Sequence, residues 1–289
     1  MGSGSVSHSS LRSYASSLGR SYDTNTGRVV GQSFEARNLD PSLDPRGFKV
    51  RECCNSDEHP NTVPVILALD VTGSMGEACA ETAAALGKIV TSLYDKFADI
   101  EFCIMGIGDL DYDNAPIQMS QFESDVRIAV SLDKVYMEHG GGGNGFESYT
   151  AAWYMGLNRT KLDCYDKQGR KGVIITMGDE PLNPYLPARY LNQCIDGTEE
   201  RNIETNELYA AASQKFDIFH IAVDSPRCCY RRYQRDVDNS FGQQLGSRYK
   251  VSSIDCLAQT IEDCIAESIN GVAQKPAAQP KQNDNTISW

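Results

Sequence analysis

Short apolar runs alternate along the chain with stretches whose apolar positions recur at helical spacing. The first run, 65–69 within VPVILALD, has the pattern of a strand buried on both faces. Beyond it, Leu86, Ile89, Val90, Leu93, Tyr94 and Phe97 fall on one face of a helix. The run 100–107 predicts a second buried strand, and 117–122, behind Pro116, a short edge strand. Ile128, Leu132 and Val135 mark a short helix face, and 148–157 predicts a further helix. A strand opens at Gly172, a helix covers 200–216, and FDIFHIAVD is the next strand. A last strand over 249–252 precedes a last helix marked by Leu257, Ile261, Cys264, Ile265 and Ile269. This alternation predicts an α/β fold: a doubly wound, mostly parallel six-stranded sheet flanked by helices, of Rossmann-like type.

Three regions follow from composition. Residues 1–61 form an extended N-terminal arm, Ser- and Gly-rich at first and then turned by two Asp-Pro steps in LDPSLDPRGF. The arm is expected to be irregular, because it has too few large apolar side chains for a core of its own. It is either flexible or wrapped on its own domain or on a neighbouring subunit. Residues 62–271 form the domain, and 272–289 a polar tail.

Composition narrows the function. With 40% hydrophobic and 23% charged residues in 289, the chain is that of an ordinary globular protein. Its net charge of −12 opposes binding to nucleic acid and suits a cation. Its apolar runs are of strand length, so no membrane span is expected. No charged-then-apolar start is present, and Val6 stands where a myristoylation signal needs Ser or Thr, so the expected location is cytoplasmic, or a virion for a structural subunit. The ten cysteines contain no C-x-x-C pair and are expected to be reduced thiols, Cys103 within a buried strand.

The chemistry gathers where strands end. Asp70 closes the first buried strand, and Thr72 and Ser74 follow at alternate positions. In a doubly wound sheet, ligands bind at such carboxyl ends. One carboxylate and two hydroxyls form part of the oxygen shell that a hard divalent cation wants, with positions left for water or a partner's carboxylate. The same residues could instead cap the following helix. Asp109, Asp179 and Asp224 also end strands, and a bound cation would offset the repulsion of four acids on one rim. Gly140, Gly142 and Gly145 spell G-x-G-x-x-G, but after a helix rather than a strand, so the dinucleotide reading is rejected. Close backbone approach to an ion site explains that loop better. Glu147 is expected in the first turn of the next helix, against the helix dipole. His220 is expected to be a packed core imidazole, and the arginines of PRCCYRRYQR a solvated helix face. No nucleophile with a base is visible, and Ser74 lies outside any G-x-S-x-G.

Asp-x-Thr-x-Ser after the first strand resembles the metal-ion-dependent adhesion site of von Willebrand factor A (vWA) domains. GNGFESY and GDEP look most like members of that family from bacteria and their phages. The resemblance implies that Asp70, Thr72 and Ser74 ligate Mg²⁺ or Mn²⁺. Asn144 stands where the family's second loop ends in Thr or Asp. Asp179, in Thr176-Met177-Gly178-Asp179, takes the third position, two residues later than in the common Thr-Asp turn. Asp109, Glu147 and Asp224 would surround these ligands. The implied function is non-enzymatic: the ion engages an Asp or Glu of a protein partner, without nucleic acid or membrane. The alternative is a structural subunit of a virion or filament, with self-assembly through residues 1–61.

Overall fold

In the first buried strand, Val65, Leu67 and Leu69 pack into one side of the molecule and Ile66 and Ala68 into the other. Side chains alternate along a strand, so this segment lies between two cores and its apolar run is continuous. The structure is a computed structural model that describes residues 6–23, 28–30, 36–75, 78, 93, 99–138 and 145–273.

The strands are β1 (Ser21–Asp23), β2 (Arg28–Val30), β3 (Arg51–Cys53), β4 (Val63–Asp70), β5 (Ile100–Ile107), β6 (Ile117–Met119), β7 (Thr160–Leu162), β8 (Gly172–Gly178), β9 (Tyr185–Leu186), β10 (Ile203–Glu204), β11 (Phe216–Asp224) and β12 (Tyr249–Ser253). Six of them form the central sheet in the order β12-β11-β8-β4-β5-β6. Every pairing in it is parallel except β5 with β6. From β4 the chain first builds outward through β5 and β6, then returns to β8 on the other side of β4. The carboxyl ends of β4 and β8 therefore flank the point where strand order reverses, the crevice in which such sheets bind ligands. Leu69 pairs with Met177 and Asp70 with Ile107, which sets the tips of β4, β5 and β8 on one rim.

The helix Ile254–Ala273 covers the first face over β8, β11 and β12 with Leu257, Ile261 and Ile265, and Ile128 and Leu132 of the helix Arg127–Asp133 join the same core at β5. The second face is covered by Trp153 and Met155 of Thr150–Asn158, Leu208 and Ala212 of Thr205–Lys215, and Val237 and Phe241 of Tyr230–Leu245. This is the six-stranded, mostly parallel α/β architecture that the sequence predicts. The helix expected after β4 falls outside the described residues, apart from Ala78 and Leu93, which are helical and buried. The tail beyond residue 273 is likewise outside them.

Several bounds differ from expectation. β6 stops at Met119, where the Ser120 hydroxyl takes the Ile104 amide at 2.9 Å and the strand leaves the regular ladder. The helix expected from residue 200 starts at Thr205, because Ile203 and Glu204 pair with β9. The proline-rich stretch yields a helix, Ala188–Ile195, with Pro187 just ahead of it and Leu191 and Ile195 buried.

The arm departs from the irregular segment expected of it. It carries the helix His8–Ser17, the β1–β2 hairpin, and β3, which pairs in parallel with β7. Ser7 and Ser10 cap that helix reciprocally, as in a capping box, and Leu11 and Ala15 are buried. The Tyr14 hydroxyl donates to Asp133 at 2.5 Å, and Arg20 pairs with the same carboxylate at 3.3 Å. Val6, Leu11 and Leu43 enter the core on the first face of the sheet. The arm lacks a core of its own but borrows the body's, so its described part is wrapped on the same chain.

Candidate metal centre

β4 delivers Asp70 to the rim with no exposed surface. The chain turns at once, and the Thr72 amide and hydroxyl donate to Asp70 Oδ1 at 2.9 and 2.6 Å. Thr72 Oγ1 lies 3.0 Å from Ser74 Oγ, and Ser74 donates to Asp179 Oδ1 at 2.9 Å. Asp179, at the tip of β8, is also fully buried; its Oδ2 accepts from the Cys229 amide at 2.6 Å, just before the helix Tyr230–Leu245. Two hydroxyl–carboxylate hydrogen bonds and the close Thr72–Ser74 approach thus bring together Asp70, Thr72, Ser74 and Asp179, residues up to 109 positions apart. The cluster reaches solvent at Gly73 and the half-buried Ser74.

Each hydroxyl has one proton to give. Thr72 gives its proton to Asp70 and Ser74 to Asp179, so at the 3.0 Å approach lone pair faces lone pair. Beneath them the Tyr149 hydroxyl, fully buried, donates to Asp70 Oδ2 at 2.6 Å. It accepts from the amides of Asp179 at 3.2 Å and Glu180 at 3.3 Å. Gly178 makes room for it, since a Cβ there would stand 2.0 Å from the hydroxyl oxygen.

The electrostatics are those of buried carboxyls crowded against one another. Burial, and then the charge of Asp179, push Asp70 far above the usual carboxylate range. Asp179 is raised by burial, against the pull of the Cys229 amide and the Ser74 hydroxyl. Burial and the charges of Asp179 and Asp109 push Glu180 up to about 7, against the pull of the nearby Ser74 hydroxyl. Glu147 is raised by burial and then by Asp70, Glu180, Asp113 and Asp109. It is 2% exposed, and its Oε2 is buried with no hydrogen-bond partner among the described residues. Such a group is costly unless something compensates it. A hard divalent cation suits this donor set: carboxylate and hydroxyl oxygens, converging lone pairs, excess negative charge and an orphaned carboxyl oxygen. Among the described residues no three His, Cys, Asp or Glu side chains are arranged to hold a metal by themselves. The candidate depends on its hydroxyls.

Of the residues singled out in the sequence, Asp70, Thr72, Ser74 and Asp179 come together. Asn144 lies outside the described residues. Asp109 is buried on the same rim, its Oδ1 accepting from the Asp111 amide at 2.9 Å, and its charge acts on Glu147 and Glu180. Asp224 turns elsewhere: Arg231 holds it at 2.6 and 3.3 Å, so a cation of the protein's own neutralises it. Glu147 does not sit in a helical first turn; it precedes Thr150–Asn158 and makes an isolated bridge to Leu182. His220 is a buried core ring, stacked on Phe241 at 3.5 Å. Tyr149, Glu180 and the Cys229 amide were not anticipated. Glu180 could have been suspected beside Asp179 in GDEP; the other two have no local signal.

Neither a family model nor a curated protein sequence matches this chain. Solved structures match it by shape. The pilus adhesin SpaC from Lactobacillus rhamnosus GG, in its open conformation, aligns with a TM-score of 0.50 at 12% identity over 75% of this chain and 31% of that one. This chain therefore spans about a third of that adhesin. The vWF domain of the type V pili tip protein Mfa5 from Porphyromonas gingivalis aligns at 0.45 and 12% identity, over 75% of this chain and 97% of that one. Proximal thread matrix protein 1 from the mussel byssus aligns at 0.43 and 12%, over 71% and 47%. At such identity the likeness to the SpaC adhesin is one of fold alone, the doubly wound, Rossmann-like arrangement that the strand order above gives. These neighbours lend no support to a cytoplasmic location. Among the described residues no helix is long and apolar enough to cross a membrane.

Proposed function

We propose that the protein is a non-enzymatic, metal-dependent protein-binding module whose rim holds one Mg²⁺ or Mn²⁺ and offers it to a partner's Asp or Glu. The observation that carries this reading is the convergence of the Asp70, Thr72, Ser74 and Asp179 oxygens, with the two hydroxyls 3.0 Å apart and each donating to one carboxylate. Asp70 and Asp179 would supply charge, and Thr72 and Ser74 neutral oxygens. Asn144 would complete the set from the glycine-rich loop, with Asp109, Glu147 and Glu180 around it. Two carboxylates balance a divalent ion, and an open position then accepts a third carboxylate from outside. The pilus adhesin of similar fold agrees with a role in protein contacts. Self-assembly through residues 1–61 has less to draw on, since Val6, Leu11 and Leu43 are spent on the chain's own core.

Relaxation of solvent water protons by bound Mn²⁺ tests the reading. Mn²⁺ added to the protein raises the relaxation rate, and a short glutamate-bearing peptide lowers it as its carboxylate displaces a bound water. The glutamine counterpart leaves it unchanged, and Asp70→Asn abolishes the initial enhancement. Enhancement that persists in Asp70→Asn, or glutamate and glutamine peptides that act alike, would contradict the proposal.

A further inference from the structure

The Tyr149 hydroxyl has a definite hydrogen-bond direction. Two amide protons, those of Asp179 and Glu180, point at its oxygen, at 3.2 and 3.3 Å. Its own proton goes to Asp70 Oδ2 at 2.6 Å, a short bond. The ring cannot swing away. It is fully buried, stands edge-on to His220 at 5.0 Å and to Phe241 at 5.7 Å, and its hydroxyl fills the notch at Gly178. The two oxygens of Asp70 are thereby divided. Oδ1 meets Thr72 on the Ser74 side, where the lone pairs converge, and Oδ2 meets a phenol in the core.

We infer that Tyr149 is a specificity-determining residue of this site, holding Asp70 to one oxygen per cation and so favouring a small octahedral ion over a large one. The inference rests on the metal-binding reading above. Mg²⁺ requires near-ideal octahedral geometry at short distance, which single-oxygen donors satisfy. Ca²⁺ takes more oxygens at longer distance and often grips both oxygens of a carboxylate. A carboxylate with one oxygen committed to a buried phenol meets the first demand and fails the second. Tyr149 acts through Asp70 without touching the ion, so it is a positioning residue.

The experiment is a pair of calorimetric titrations, MgCl₂ and CaCl₂, into the full chain and into Tyr149→Phe. The wild type is expected to bind Mg²⁺ more tightly than Ca²⁺. In Tyr149→Phe, Mg²⁺ affinity should fall about tenfold, the order seen when a ligand's supporting hydrogen bond is removed, while Ca²⁺ affinity holds or rises. A lowered Mg²⁺/Ca²⁺ ratio supports the inference, because a purely structural loss would weaken both ions alike. An unchanged or increased ratio overturns it, as does a wild type that prefers Ca²⁺. If Tyr149→Phe does not fold, Gly178→Ala takes its place: its methyl displaces the hydroxyl from Asp70, and the same ratio decides. A wild type that binds neither ion overturns the metal site itself, and no variant is needed to see it.

Discussion

Asp113 shows what burial near the rim costs a carboxylate. Its carboxylate accepts from the Asp109 amide at 2.7 Å, close against Gly108, where a Cβ would stand 2.3 Å from Oδ2. Burial, with the charges of Glu138 and Asp109 behind it, pushes it up to about 6. A carboxyl raised in the folded state binds its proton more tightly there than in the unfolded chain. Its contribution to stability is therefore intact below its ordinary value of 3.8 and is lost as pH rises toward about 6. Asp113→Asn keeps an oxygen for the Asp109 amide and removes the charge. The variant should match the wild type at pH 4 and exceed it at pH 7.5 by about 1 kcal/mol, once the shift is discounted for partial exposure. Urea unfolding at the two pH values checks this; equal stability at pH 7.5 would contradict it. At this scale the sequence was legible where chemistry is local. Asp70, Thr72 and Ser74 declare themselves by spacing after a strand, and Asp179 by ending another. Tyr149 was not, because its hydroxyl reaches Asp70 across 79 positions through a notch at Gly178 that no spacing announces. Glu147 was placed against a helix dipole because adjacency to a helix can be read from sequence, whereas a bridge to Leu182 cannot.

The central strands were legible as elements because burial on both faces leaves unbroken apolar runs. The arm was not, since its order is borrowed. Its helix buries two residues, Leu11 and Ala15, and an apolar stripe that thin is hard to see among serines. Leu11 joins the core of the body, so Leu11→Ala should destabilise the whole protein by about 2–4 kcal/mol in urea unfolding monitored at the tryptophans. An arm that comes and goes would leave the midpoint unchanged. Tyr14→Phe removes the hydrogen bond to Asp133 and should cost about 1 kcal/mol in the same assay. Helix Ala188–Ile195 escaped notice for the opposite reason: neighbouring prolines suggest a stiff loop, yet Pro187 is compatible with a helix start.

For the whole molecule, the order β12-β11-β8-β4-β5-β6 brings residues from distant segments to one crevice. Asp70 and Asp179 meet there because β4 and β8 are neighbours in the sheet, although 109 positions separate them in sequence. Mg²⁺ that binds only the folded chain should stabilise it by about 2.7 kcal/mol at a hundredfold excess over Kd, raising Tm by roughly 5–10 °C. The Tm of Asp179→Asn should not respond to Mg²⁺. The most direct test counts bound ions. In a Mn²⁺ titration followed by electron paramagnetic resonance, the free-ion signal should stay suppressed until one Mn²⁺ per wild-type chain has been added. It should rise from the first addition with Asp70→Asn or Asp179→Asn, provided each variant is folded. A free-ion signal from the first addition with the wild type, or suppression that survives both substitutions, would contradict the account.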